Sequence, residues 1–87
     1  MDVLFINVAI LFHNLTTKDL KNVEQILDER KRFITIIHSS EDRATIEITC
    51  AASVLFSLIV DLNAKEYITE LRKIDKTKPM ELIIKRN

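Results

Sequence analysis

No glycine occurs anywhere in the 87 residues. Glycine is the usual residue where the backbone takes a positive φ or closes on a ligand. Phosphate-cradling loops and dinucleotide fingerprints are built on it, so its absence argues strongly against both. Turns must instead be made by Asn, Asp, Ser and Thr, whose side chains bond locally to the backbone. Asn14, Ser39-Ser40, Asp42 and Asp75 are the candidates.

Cysteine is nearly absent as well. A single Cys50 cannot close an intramolecular disulfide, and a reduced, cytoplasmic setting is expected. Long hydrophobic runs are missing. Val3 to Phe12 and Val54 to Val60 fall far short of the ~20 apolar residues of a spanning helix, so no membrane partner is expected. Asp2 stands where a secretion signal carries positive charge, so no leader is expected either. Charge of one sign is not in excess: Lys+Arg and Asp+Glu are both 13. That balance argues against nucleic acid as an obligatory partner, because phosphate binding leaves a basic footprint.

What is present is the composition of a globular chain, 47% hydrophobic and 30% charged, sufficient for one domain over residues 1–87 and too short for two cores. Val3 to Phe12, VLFINVAILF, reads as a central strand apolar on both faces, with a helix as the alternative. Thr16 and Asp19 fit the [ST]-x-x-[DE] capping pattern. Helix one follows from Thr17 to Lys31, with Leu20, Val23, Ile26 and Leu27 as its buried stripe. Phe33 to His38 is a second strand. After a polar turn at Ser39 to Asp42, Arg43 to Cys50 returns, with Ala44, Ile46, Ile48 and Cys50 alternating against Thr45, Glu47 and Thr49.

Ala51 to Lys76 is the longest stretch without a turn signal, and it reads as one long helix. Its first half is apolar almost all round. Its second half carries Tyr67, Ile68, Leu71 and Ile74 at helical spacing. Asn63 and Glu66 repeat the capping pattern inside it, which implies a kink, or two helices meeting near Asp61-Leu62-Asn63. The rival reading makes Val54 to Val60 a strand. Pro79 sets the end of this segment, and Met80 to Lys85 is a last strand.

The expected order is β-α-β-β-α-β. It predicts an α+β, ferredoxin-like fold, an antiparallel sheet with two helices on one face. The last strand should lie beside the first, at an edge.

Few residues suggest chemistry. An iron–sulfur site needs several cysteines, and a metallochaperone needs a pair. An RNA-recognition sheet carries stacking aromatics on its central strands; Ala44 to Cys50 has none, and Phe5, the one candidate on the first strand, is expected to be core. His13, His38 and Cys50 match no compact metal-ligand spacing. Glu41, Asp42 and Glu47 lie on or beside a polar turn, without the shielding that separates the pKa values of a catalytic pair. No cofactor, small-molecule substrate or catalytic residue is assigned, and the chain is not read as an enzyme.

Two surfaces remain. The first is a sheet face left open by the helices, assigned to Leu4, Ile6, Val8, Ile10 and Ile83. With the strand edges it predicts a protein–protein interaction or self-association module, a small adaptor that forms a homodimer or docks on a larger protein. The second is basic. Residues 1–62 carry six basic and nine acidic side chains, whereas residues 63–87 carry seven and four. Arg72, Lys73, Lys76, Lys78, Lys85 and Arg86 form the candidate patch, which Arg30, Lys31 and Arg32 would extend. Nucleic-acid association is its alternative reading. Charged helix ends and a charged edge strand that resists aggregation would explain the same residues without any ligand.

Overall fold

The segment read as one helix from Ala51 to Lys76 is two elements. The computed structural model, which describes residues 4–42 and 44–86, ends the helix at Ala64 and starts a strand at Tyr67. The elements in chain order are β1 (Phe5–His13), α1 (Thr17–Asp28), β2 (Ile34–Ser39), β3 (Thr45–Ala51), α2 (Ala52–Ala64), β4 (Tyr67–Arg72) and β5 (Met80–Arg86). Val3 and Arg43, given above as strand starts, lie outside the described residues.

The domain is α+β with a five-stranded mixed sheet in the order β2-β3-β1-β5-β4. The pairs β1–β3, β2–β3 and β4–β5 are antiparallel, but β1 and β5 are parallel. This corrects the ferredoxin-like, all-antiparallel expectation. In that fold the second helix leads straight into the last strand. Here β4 intervenes and turns back on β5 through residues 73–79, in which Asp75 accepts from the Thr77 N–H at 3.0 Å. That one extra reversal makes β5 run alongside β1, and it moves β5 inward and leaves β4 at the edge.

Helix α1 begins where the capping pattern predicts. Thr16 Oγ1 accepts from the Asp19 N–H at 3.1 Å, and Asp19 accepts from the Thr16 N–H at 3.1 Å. Both orphan groups are thus satisfied reciprocally. Helix α2 has no side-chain cap at its start, and tertiary burial supports it instead. Leu55, Leu58 and Leu62, spaced three and four apart, point into the core, while Phe56 and Val60 on its outer side face solvent. The strand alternative for Val54 to Val60 is thereby excluded.

The core is one layer between the helices and one face of the sheet. Val8, Ile10, Ile48, Cys50, Leu82 and Ile84 from the strands meet Val23, Ile26, Leu55, Leu58 and Leu62 from the helices. The alternation of β1, β3 and β5 dictates this: in register, Val8 pairs with Ile48 and Met80, and Ile10 with Ile46 and Leu82, so one face is apolar across three strands. The ladder of such pairs also explains why the register cannot slip by one residue without exposing the whole set.

Candidate functional site

Asp19 is the only polar residue of the described chain that is fully buried. Its position in the first turn of α1 sets it beside the ends of β4 and β5. Tyr67 donates its hydroxyl to Asp19 at 3.0 Å, and Thr16 donates both its N–H, at 3.1 Å, and its hydroxyl, at 2.9 Å. Arg86 forms an ion pair with the same carboxylate. Asn22 donates in turn to the Tyr67 oxygen at 3.2 Å. These residues, with Lys18 and Lys65, line a cavity of about 470 Å³.

Burial pushes the Asp19 carboxyl up. The backbone and side-chain hydrogen bonds from Thr16, the bond from Tyr67 and the charge of Arg86 together outweigh it, and the net effect is a pKa below the ordinary 3.8. The carboxylate is therefore ionised at neutral pH and fully engaged. A general base or nucleophile needs a free lone pair aimed at substrate, and these contacts give Asp19 to the fold. The tyrosine hydroxyl is spent the same way, donating to Asp19 and accepting from Asn22. The cluster is a clasp joining α1, β4 and β5. Arg86, assigned above to the basic patch, is its counter-ion.

The histidines and the cysteine are not gathered. Cys50 is buried on the helix-covered face, where it pairs in register with Ile34 and Ile6. Burial pushes its thiol up, against a hydrogen bond from the Leu55 backbone, so it remains protonated and unreactive at neutral pH. His38 lies opposite Glu47, further along the same ladder, and His13 lies beside Lys85 at the end of β1. Among the described residues, no three or more His, Cys, Asp or Glu are placed to hold a metal ion.

The residues assigned to an open sheet face divide between its two sides. Val8 and Ile10 are core and Ile6 packs against it, all beneath the helices. Leu4 is exposed just before β1. Ile83 alternates with the buried Leu82 and Ile84 and so faces the other way. That uncovered side is mixed: the exposed Phe5 and Ile68 and the half-buried Ala9, Leu11 and Ile83 lie among Asn7, Thr49, Glu47, Glu81 and Lys85. Thr49 donates to Asn7 across it at 2.6 Å.

The basic patch is also divided. Arg72 pairs with Glu81 at 3.4 Å and Arg86 with Asp19. Lys73, Lys76 and Lys78 are exposed together on the β4–β5 connection. Arg30 is not part of any patch. It bonds the Ile26 carbonyl at 3.1 Å, the Ser57 hydroxyl at 3.0 Å and Asp61, tying α1 to α2.

A further exposed apolar surface lies at the free edge of the sheet. Among the described residues, strand β2 pairs only with β3. Ile36 is 61% exposed, Ile37 52% and Phe33, just before the strand, 64%. An irregularity between Ile36 and His38 leaves Ile37 as an extra residue in the ladder, which breaks the alternation, and both isoleucines are exposed. Beside the strand, between it and α1, runs a groove of about 280 Å³ lined by Leu27, Ile34, Ile36, Ile46 and Ile48 together with Glu24, Asp28 and Lys31. Neither helix covers it. The opposite edge, β4, carries Glu70 and Arg72 along its length, the charges that ordinarily blunt an edge; β2 has only His38.

No protein-family model, curated protein or solved structure matches the chain.

Proposed function

We propose that the chain is a non-catalytic protein–protein interaction module, a small adaptor or self-associating domain, and that its working surface is the β2 edge with the groove beside it. The observation that carries this reading is the exposure of Ile36 and Ile37 on a strand whose outer N–H and C=O groups have no sheet neighbour among the described residues. An added strand would satisfy the backbone groups, and its alternate side chains would enter the groove. Full burial of an isoleucine is worth about 1.5–3 kcal/mol, and each of these two, already partly covered, contributes a fraction of that. The polar groups that could do chemistry support the same reading, since Asp19, Tyr67 and Arg86 are bound to one another.

The test is capture from host extract on the immobilised wild type and on Ile36→Lys, with retained proteins identified and their binding reconstituted from pure components. A partner held by the wild type and lost with Ile36→Lys is expected. Equal retention on both would reject the edge as the working surface.

A second reading rests on Lys73, Lys76 and Lys78, which share one exposed connection. It makes the chain a nucleic-acid-associated protein. Such binding falls steeply with salt, and charge reversal of the three lysines would abolish it. No retention of the wild type on nucleic acid at low salt would remove this reading.

A further inference from the structure

The order of charges along β2 points to the occupant of its edge. The strand is preceded by Lys31 and Arg32 and followed by Glu41 and Asp42, all four exposed. Between them the six residues Ile34–Ser39 carry no acidic or basic group except His38. A segment that is basic at one end, apolar in the middle and acidic at the other is complementary to itself when reversed.

Resting on the interaction reading above, we infer that the partner at this edge is a second copy of the chain, joined by antiparallel pairing of β2 with β2 about a two-fold axis near Ile36. In that arrangement Lys31 and Arg32 of one copy lie toward Glu41 and Asp42 of the other, at both ends of the interface. The axis stands perpendicular to the sheet, because only that operation pairs two identical strands antiparallel while keeping their faces. Two five-stranded sheets then continue into one, with all the helices on one side. The two grooves meet over the axis, and each Ile36 is covered by its counterpart.

Several observations favour this occupant. The acidic end is held in place, since Asp42 accepts from the Ser40 hydroxyl at 2.7 Å and from the Ala44 N–H at 3.0 Å. These two bonds, the backbone one first, hold its carboxyl below the ordinary 3.8, so it is charged at neutral pH. Six strand residues span about 20 Å. A standard interface buries ~800 Å² per partner, so the strand edge must be supplemented by the groove beside it, lined by Leu27, Ile34, Ile36, Ile46 and Ile48. The extra residue at Ile37 shortens the regular ladder a partner can extend. Side-chain contact over the groove and the two charged ends must therefore contribute the rest.

The test is the mass in solution by light scattering, at 10–100 µM on the order of a standard interface's range. The wild type is expected at twice the 10.1 kDa chain mass. Ile36→Lys changes an exposed side chain, so the fold should persist by circular dichroism while self-association weakens at least about 30-fold. Two charge variants make the decisive arm. Lys31→Glu with Arg32→Glu leaves both ends acidic, and Glu41→Lys with Asp42→Lys leaves both ends basic. Each alone should be monomeric, and an equimolar mixture should form the dimer. A wild type that stays monomeric at the highest concentration overturns the second copy as occupant. A wild-type dimer with no rescue on mixing overturns the pairing geometry. The interaction reading is judged separately by the difference in capture between wild type and Ile36→Lys: a monomeric wild type that still shows this difference retains the edge as a docking surface for another protein.

Discussion

The hydroxyl of Tyr67 lies 3.0 Å from the carboxylate of Asp19, and this bond joins residues 48 positions apart. It fixes the start of β4 against the first turn of α1. Because Tyr67 pairs in register with Arg86, the same contact aligns the ion pair between Arg86 and Asp19. Tyr67→Phe should lower the melting temperature by several degrees without altering the secondary structure. The pH profile gives a sharper test. The folded pKa of Asp19 is depressed below 3.8, so its stabilising contribution is complete above the unfolded value and is lost as pH falls through the folded one. Removing the Tyr67 bond brings the folded pKa back toward 3.8, and the acid limb of the stability profile should move to higher pH. In Asp19→Asn that part of the limb should flatten, leaving the same-sign contributions of Asp42 and Asp75. An acid limb that coincides in all three proteins would mean that the clasp does not form.

The capping box makes a separate prediction. Thr16 Oγ1 accepts from the Asp19 N–H, and Thr16→Ala leaves that donor without its partner. The expected cost is about 0.5–2 kcal/mol, read as a lower denaturant midpoint with an unchanged slope. Thr16→Ser should recover most of it, because the hydroxyl is kept. A midpoint unaffected by Thr16→Ala would show that α1 starts elsewhere.

Glu66 is the residue that stops α2, and it does so in the left-handed region, at φ 70°. Its N–H bonds the Asn63 carbonyl at 3.0 Å, closing the last turn where glycine usually stands. A non-glycine residue there costs about 1–2 kcal/mol. Glycine relieves that strain and returns about 0.5–1 kcal/mol as backbone entropy in the unfolded chain. Glu66→Gly should therefore stabilise the domain by about 0.5–1 kcal/mol. Lys65→Gly, one residue earlier at φ −91°, should destabilise it. If both substitutions lower stability, the left-handed stop is not where strain resides.

That same residue explains why β4 was illegible. Tyr67, Ile68, Leu71 and Ile74 fall at helical spacing, yet Tyr67, Thr69 and Leu71 also alternate, and over six residues the two periods compete on equal terms. Punctuation normally decides such cases, and the glycine that marks a helix end is missing here. The capping pattern at Asn63 and Glu66 did locate the break, but as a new helix start rather than a stop. Asn63 instead accepts from Thr69 at 3.2 Å, across the turn into β4. The parallel β1–β5 pair followed from the missed strand. Elsewhere the pattern was readable because period and length agreed: β3 alternates cleanly, β5 buries Leu82 and Ile84, and α1 buries Val23, Ile26 and Leu27. The candidate surfaces were less accessible. FITIIH resembles a buried strand, and its exposure depends on strand order, which no local pattern encodes. The clasp depends on contacts 48 and 67 positions apart in sequence, and Asp19 already had a sufficient local role as a capping residue.

Arg30 carries the last prediction. Its side chain is 13% exposed, although it stands among three basic residues that read as helix-end charges. Its guanidinium reaches Ile26 within α1, and the Ser57 hydroxyl and Asp61 on α2. Arginine serves here because its planar fork presents several donors in fixed directions. Lysine offers one point charge on a flexible stem and cannot meet these acceptors together. Arg30→Lys should therefore lose part of the tie, and Arg30→Ala all of it, at about 1.5–3 kcal/mol for hydrogen bonds involving a charged group. Asp61→Asn should cost less than about 1 kcal/mol, because the Asp61 side chain is 44% exposed and its charge is screened. Thermal unfolding of the three variants checks the ranking Arg30→Ala, then Arg30→Lys, then Asp61→Asn. If Arg30→Lys matches the wild type, the helices are held by Leu27, Leu55 and Leu58 alone, and Arg30 is a surface charge like its two neighbours.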